Sequence, residues 1–156
     1  MYIRRAIEKD ADGVLTLLSQ VLELHAKLRP DIFISGTTKY NREELLEIFN
    51  DKKMRVYVAA DDNDDVCGYA VCVIKEQPFC NNMIPFTTLY VDDLCVDEKI
   101  RGQHVGRELF EYVKNEAKAL GCYEVTLNVW EGNDSARAFY EKMGMRPKET
   151  QMEIVL

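Results

Sequence analysis

The sequence predicts an α+β chain on a mixed sheet rather than a doubly wound parallel one. Three observations carry this. The apolar runs 55–60 and 66–74 flank the acidic turn Asp61-Asp62-Asn63-Asp64-Asp65 and read as a hairpin. Residues 123–130 alternate strictly, with Tyr123, Val125, Leu127 and Val129 on one face and Asn128 and Trp130 on the other. Four stretches with helical apolar spacing separate the strand patterns, giving the order β-α-α-β-β-β-α-β-α-β.

Tyr2 to Arg5 is a short first strand. A helix begins near Asp10, a plausible N-cap, and presents Val14, Leu17, Leu18, Val21, Leu22 and Leu24 as a wide apolar face until Arg29-Pro30-Asp31 ends it. A loop holding Pro30, Phe33, Gly36 and Tyr40 leads to Asn41-Arg42-Glu43-Glu44. This capping-box-like start opens a second helix with Leu45, Leu46, Ile48 and Phe49 facing inward. The acidic turn lacks the spaced ligands and distal Glu of a calcium loop, so it reads as a solvated hairpin tip. A loop from Gln77 to Pro85 precedes the strand Leu89–Val96. A third helix places Val105, Leu109, Val113, Ala117 and Leu120 on one stripe. A last helix spans about Ser135 to Met143 and ends at Gly144, and Gln151 to Leu156 closes the sheet as an edge strand.

The chain has 156 residues, 47% hydrophobic and 10% aromatic, enough for one well-buried core and too few for two ordinary domains. One domain over 1–156 is expected, since no repeat, low-complexity segment or linker interrupts it. No apolar stretch approaches the ~20 residues that span a bilayer, and Met1-Tyr2-Ile3-Arg4-Arg5-Ala6 runs straight into polar sequence. A cytoplasmic location and no membrane partner are the default expectations. The five cysteines are odd in number with no CxxC pair, which suits a reduced compartment. With two histidines and no cluster at ligand spacing, no metal site is expected. The net charge of −7 argues against nucleic-acid binding. It leans weakly toward a cationic co-substrate such as an amine, although solubility alone explains it as well.

The most informative stretch is Arg101-Gly102-Gln103-His104-Val105-Gly106-Arg107, between a strand and an amphipathic helix. Unpaired amides at a helix start point outward, and the helix dipole adds about half a positive charge there. The glycines let the backbone approach a ligand, and Arg101 and Arg107 add fixed charge. This is a phosphate-holding arrangement, with a turn bearing a basic rim as the bland alternative. About thirty residues on come Asn133-Asp134-Ser135-Ala136-Arg137-Ala138-Phe139-Tyr140 and Gly144. Asn133 and Asp134 can cap a helix, and Ala136, Phe139, Tyr140 and Met143 share a face.

Taken together these motifs resemble the GNAT superfamily of acetyl-CoA-dependent N-acyltransferases, most strongly from Leu89 to Met145. That family's pyrophosphate loop reads Arg/Gln-x-x-Gly-x-Gly/Ala, and here His104 stands where glycine is usual. If the position needs positive φ, His is among the better-tolerated exceptions. The resemblance implies the acyl-CoA N-acyltransferase fold, a mixed, mostly antiparallel central sheet flanked by helices. It also implies an enzyme that uses acetyl-CoA and an amine acceptor.

By the same resemblance the backbone of Leu94, Cys95 and Val96 runs beside the pantetheine and acetyl carbonyl. Amides from Gly102 through Gln103, His104, Val105 and Gly106 to Arg107, with Arg101, hold the pyrophosphate. Asn133 hydrogen-bonds the cofactor, Tyr140 is the general acid at the sulfur, and a homodimer through the last strands is a family expectation. The chemistry is coherent. A strand amide stabilises the oxyanion formed when an amine attacks a thioester, and a phenol with pKa near ~10 reprotonates the thiolate.

An alkyl ammonium, pKa ~10.4, must first lose a proton, and Asp92 and Asp93 are candidate bases. Strand alternation points them to opposite faces, so at most one serves, with Asp93 preferred over Asp92 and structural carboxylates as the alternative. Cys95 is not read as a nucleophile, because it lies in an apolar strand with no His nearby in sequence. The stretch from His25 to Phe33 is similar to one in some bacterial members, so His25 either lines the acceptor site or packs on its own loop. The acceptor identity stays open between a small amine, a peptide, and a protein N-terminus or lysine. A non-catalytic acyl-CoA-binding or regulatory module is the alternative function.

Overall fold

A computed structural model describes residues 1–77 and 80–156; Pro78 and Phe79 of the 77–85 loop lie outside the described residues. Among those described, the order is β1 (Tyr2–Arg5), α1 (Ala11–Leu28), α2 (Arg42–Asn50), β2 (Met54–Ala60), β3 (Val66–Glu76), β4 (Thr87–Val96), α3 (Val105–Ala119), β5 (Glu124–Leu127) and α4 (Asp134–Lys142). Short 3-10 turns at Glu8–Asp10 and Glu98–Ile100 precede α1 and α3. The strands form one sheet in sequence order; β1 to β4 pair antiparallel and β5 joins β4 in parallel. This is the mixed, mostly antiparallel sheet with flanking helices that the sequence led us to expect.

Period-two alternation gives the sheet two apolar faces. Val56, Val58, Tyr69 and Val71 pack under Leu17, Leu18, Leu45 and Phe49 of α1 and α2. Tyr57, Ala70, Cys72, Leu89 and Val91 pack under Leu109, Val113 and Ala117 of α3. Each fully buried aliphatic side chain contributes roughly 1.5–3 kcal/mol, so the two layers fix the strands that carry the site.

The capping box before α2 forms as expected: Glu44 N donates to Asn41 Oδ1 and Asn41 N to Glu44 Oε2, both at 2.9 Å. Asp10 stands at the N-cap position of α1 but does not cap it. Its carboxylate instead accepts from Arg4 Nη2 at 2.9 Å and from Ile7 N at 2.8 Å. A guanidinium offers a buried carboxylate a stronger partner than a helix amide does. The acidic turn is likewise more than a solvated tip, since Asp64 accepts from Arg4 at 2.8 Å and from Lys9 and Tyr2, tying the hairpin to β1.

Three expectations fail at element edges. Leu120 lies past the end of α3 and is 38% exposed. β5 holds only Glu124–Leu127, and Tyr123 is 77% exposed, because the ladder with β4 ends at Leu127 and alternation alone does not extend a strand without a partner. Gln151–Leu156 forms no edge strand; it runs unpaired with Met152, Ile154, Val155 and Leu156 exposed.

Candidate active site

The parallel ladder between β4 and β5 runs from Thr88–Glu124 to Val91–Leu127 and stops. β4 continues to Val96 without β5, so the sheet opens there and the β5-side backbone of residues 92–96 is left without a strand partner. Unpaired strand amides and carbonyls invite an extended ligand. Leu94, Cys95 and Val96, expected beside the pantetheine, lie along this opening.

A bulge lies at its start. Val71 of β3 pairs with Asp93 and Cys72 with Val91, which makes Asp92 the extra residue. The bulge corrects the expectation that Asp92 and Asp93 face opposite ways. Asp92 accepts from Lys39 Nζ at 2.6 Å and Tyr40 Oη at 3.3 Å, both from the loop before α2, and Tyr40 packs on the α1/α2 face. Asp93 sits opposite Val71 of that same face, in the field of Lys39 and Asp92. One inserted residue suspends the alternation and brings both carboxylates to one side.

Burial pushes Asp93 up to about 6; the Asp92 charge adds to the rise, and Lys39, Tyr69 and the Leu94 amide oppose it. The Tyr69 hydroxyl is fully buried and has no partner at hydrogen-bond geometry among the described residues, and after burial the Asp93 carboxylate acts on it most strongly.

At the far end of the opening, Asp97 caps the 3-10 turn through Lys99 N at 3.0 Å, and Arg101 Nε donates to Val96 O at 3.3 Å. The chain then passes through Gly102 at φ +85° and His104 at φ +65° into α3. His104 thus occupies the left-handed conformation where the resemblance expects glycine. The first helical hydrogen bond is Glu108 N to His104 O at 3.0 Å, so the amides of Val105, Gly106 and Arg107 have no partner within the helix. Arg101, Gly102, Gln103, His104 and Arg107 are exposed, while the Val105 side chain is buried in the core. A Cβ on Gly102 would meet nothing, whereas one on Gly106 would touch Val96 and Phe139 at 3.5–3.7 Å. The loop is open and basic, and the residues present fit a pyrophosphate.

α4 begins as expected. Asn133 Oδ1 accepts from Ala136 N at 3.3 Å, which leaves its NH2 as the group it can offer a ligand. Tyr140, on the same helix, packs edge-on against Phe110 of α3 at 5.6 Å. Burial first, then the Asp93 charge, pushes its phenol well above the ordinary value, so it stays protonated at neutral pH. Burial pushes Cys95 up to about 12, too high for a thiolate nucleophile and in line with the sequence reading.

His25 packs on its own loop, 5.2 Å from the Phe33 ring, and Phe33 meets Trp130 edge-on at 5.3 Å. Burial, and then the Lys39 charge, lowers its pKa below the ordinary imidazole value. Sequence reasoning missed Lys39, Tyr69, Tyr90 and Asn128. Tyr69 shares the parity of Val71 and was findable from alternation. Asn128 Nδ2 donates to Tyr90 Oη at 3.3 Å across the mouth of the opening, a contact only the fold creates.

Comparisons with known proteins bear on the fold and the family. The family model for the acetyltransferase (GNAT) family matches residues 19–145. The chain is 36% identical over 63 residues to glucosamine 6-phosphate N-acetyltransferase of Arabidopsis thaliana, and that match spans 40% of each chain. It is 30% identical over 114 residues to the peptidyl-lysine N-acetyltransferase YjaB of Salmonella typhimurium, covering 73% of this chain and 65% of that one. A crystal structure of a mutant BH1408 protein from Bacillus halodurans superposes with a TM-score of 0.95 at 36% identity, over 100% of this chain and 99% of that one. No helix among the described residues is long and apolar enough to cross a membrane. The chain therefore belongs to the GNAT acetyltransferase family, whose members draw the acyl group from acetyl-CoA.

Proposed function

We propose that the 156 residues act as one N-acetyltransferase domain that moves the acetyl group of acetyl-CoA to a primary amine of a small molecule or peptide by direct attack. The observation that carries this is the opening between β4 and β5. The free amides of α3 lie at one end of it, Asp93 lies on the β4 segment that lines it, and the Asp93 charge reaches Tyr140. Acetyl-CoA supplies an acetyl group activated as a thioester. The amides at the start of α3, with Arg101, Arg107 and the Asn133 NH2, hold its phosphates and linker, and the unpaired β4 edge at Leu94–Val96 aligns the rest.

Asp93 takes the proton of the acceptor ammonium. Its pKa of about 6 keeps it ionised at neutral pH and makes it a stronger base than an ordinary carboxylate. The remaining gap to an ammonium near ~10.4 corresponds to about 6 kcal/mol. Tyr140 donates a proton to the leaving thiolate. The Asp93 charge is one cause of its raised pKa, so protonation of Asp93 makes Tyr140 a better acid at the step that needs one.

The relatives' names span an amino sugar and a peptidyl lysine, so a primary amine is the common ground. A non-catalytic acyl-CoA-binding module is the competing reading, and the combination of Asp93 with Tyr140 counts against it.

A homodimer belongs to the same proposal. Lys148 Nζ bonds Glu124 at the start of β5 and Arg29 bonds Glu153, each at 2.6 Å. Yet among the described residues 146–156 make no main-chain hydrogen bond. An unpaired strand edge beside an unpaired arm with Ile154 84% exposed suits pairing with a second copy.

The test is calorimetric titration with acetyl-CoA, then thiol release against a panel of amines. Micromolar binding with amine-dependent release supports the enzyme. Binding without release from any amine supports the non-catalytic module, and no binding at millimolar acetyl-CoA overturns both.

A further inference from the structure

One contact at the site is unexplained by acetyl-CoA binding. Lys39 reaches from the loop between α1 and α2 to the bulged Asp92, Nζ to Oδ2 at 2.6 Å, with its ammonium 5.5 Å from the centre of the Tyr40 ring. The Tyr40 hydroxyl donates to the same carboxylate oxygen at 3.3 Å. Resting on the reading of the acceptor as an amine, we propose that Asp92 with Tyr40 is the subsite for the acceptor's alkylammonium, and that Lys39 fills it until the acceptor displaces it.

The chemistry of the occupant is the first argument. A lysine head is a primary alkylammonium, the group an N-acetyltransferase must seat. A carboxylate beside an aromatic ring recognises that group by charge and by the ring's negative face. The second argument is placement. Asp92 directly precedes Asp93, and after burial the Lys39 charge acts on Asp93 more strongly than any other. An ammonium at Asp92 is therefore within the field of the proposed base.

The arrangement also lets Lys39 leave. Its side chain is 43% exposed and that of Asp92 23%, so the acid is the deeper partner. The loop is tied elsewhere, where Ser35 Oγ and Gly36 N donate to Glu23 at 2.7 and 2.6 Å, and Lys39 can swing away without freeing it. Exchange of one ammonium for another on one carboxylate changes little in intrinsic energy. Lys39 then weakens acceptor binding through its local concentration, in the millimolar range typical of tethered groups.

The probe is n-butylamine, which reproduces the lysine head, titrated into the full chain at neutral pH and followed by ligand-observed NMR. Lys39→Met should bind it about tenfold more tightly than wild type, with Lys39→Gln as a second variant should methionine perturb the loop. Lys39→Met combined with Asp92→Asn should lose the gain. Equal or weaker binding in both Lys39 variants overturns the proposal, as does retention of the gain without Asp92. Loss of inorganic phosphate binding in Lys39→Met, with no change for n-butylamine, would assign Lys39 to an anionic group of the acceptor and overturn it too. Acetyl-CoA titration touches neither residue, so failure of the enzymatic reading is seen separately.

Discussion

The Asp92 carboxylate holds Lys39 at 2.6 Å, while its neighbour Asp93 lies opposite Val71 in the same sheet face and is pushed up to about 6. Two consecutive acids thereby sit in different settings: one is paired with a cation, and the other is buried with its pKa raised. That division depends on the bulge at Asp92.

Asp93→Asn should lower kcat/KM about 10²–10³-fold and remove its acidic limb. With Asp93 at about 6, the wild-type rate should rise through pH 6 and stay level until the acceptor itself deprotonates. A pH profile unchanged in the variant would exclude Asp93 as the base. Stability follows the opposite sense. The folded pKa lies above the unfolded value, so the ionised carboxylate destabilises the fold above pH 6, and the penalty fades as pH falls from about 6 toward ~3.9. Asp93→Asn should therefore raise Tm at pH 7 more than at pH 4.

Tyr140→Phe keeps the ring that packs on Phe110 and removes only the hydroxyl. Turnover should fall about 10²-fold or more while acetyl-CoA affinity, read by calorimetry, stays within about twofold of wild type. Normal turnover would show that the thiolate finds its proton elsewhere.

His104 sits at φ +65°, a conformation that favours glycine and that β-branched residues strongly resist. His104→Gly should retain acetyl-CoA binding with stability equal or slightly higher. His104→Val should cost about 1–2 kcal/mol and weaken binding together with it, both measurable by thermal melts and titration. Tighter binding in the glycine variant would identify the imidazole as a hindrance in the phosphate loop rather than a donor.

Deleting residues 151–156 removes the exposed Met152, Ile154, Val155 and Leu156. Light scattering after size exclusion should show wild-type dimers and monomers of the shortened chain. A wild-type monomer at all concentrations would exclude pairing through this arm.

Much of the fold was legible in the residues. The alternation of β2 and β3, the capping box before α2 and the stripe of α3 from Val105 to Ala117 are local consequences of side-chain periodicity and capping. Chemistry also marked the basic glycine turn and the Asn133–Tyr140 helix, because free amides and a capped helix need only neighbours in sequence. The extent of β5 and the fate of 151–156 were not legible, since a strand exists only where another strand accepts its hydrogen bonds. The bulge at Asp92 was hidden for the same reason: an extra residue is defined only against the register of β3. Lys39, 53 positions from Asp92, could be joined to it only by folding. The sequence determined which groups could do the chemistry, through local propensity and charge. The tertiary structure decided which of them meet and how far burial shifts their protons, because pairing register and desolvation are properties of neighbours distant in the chain.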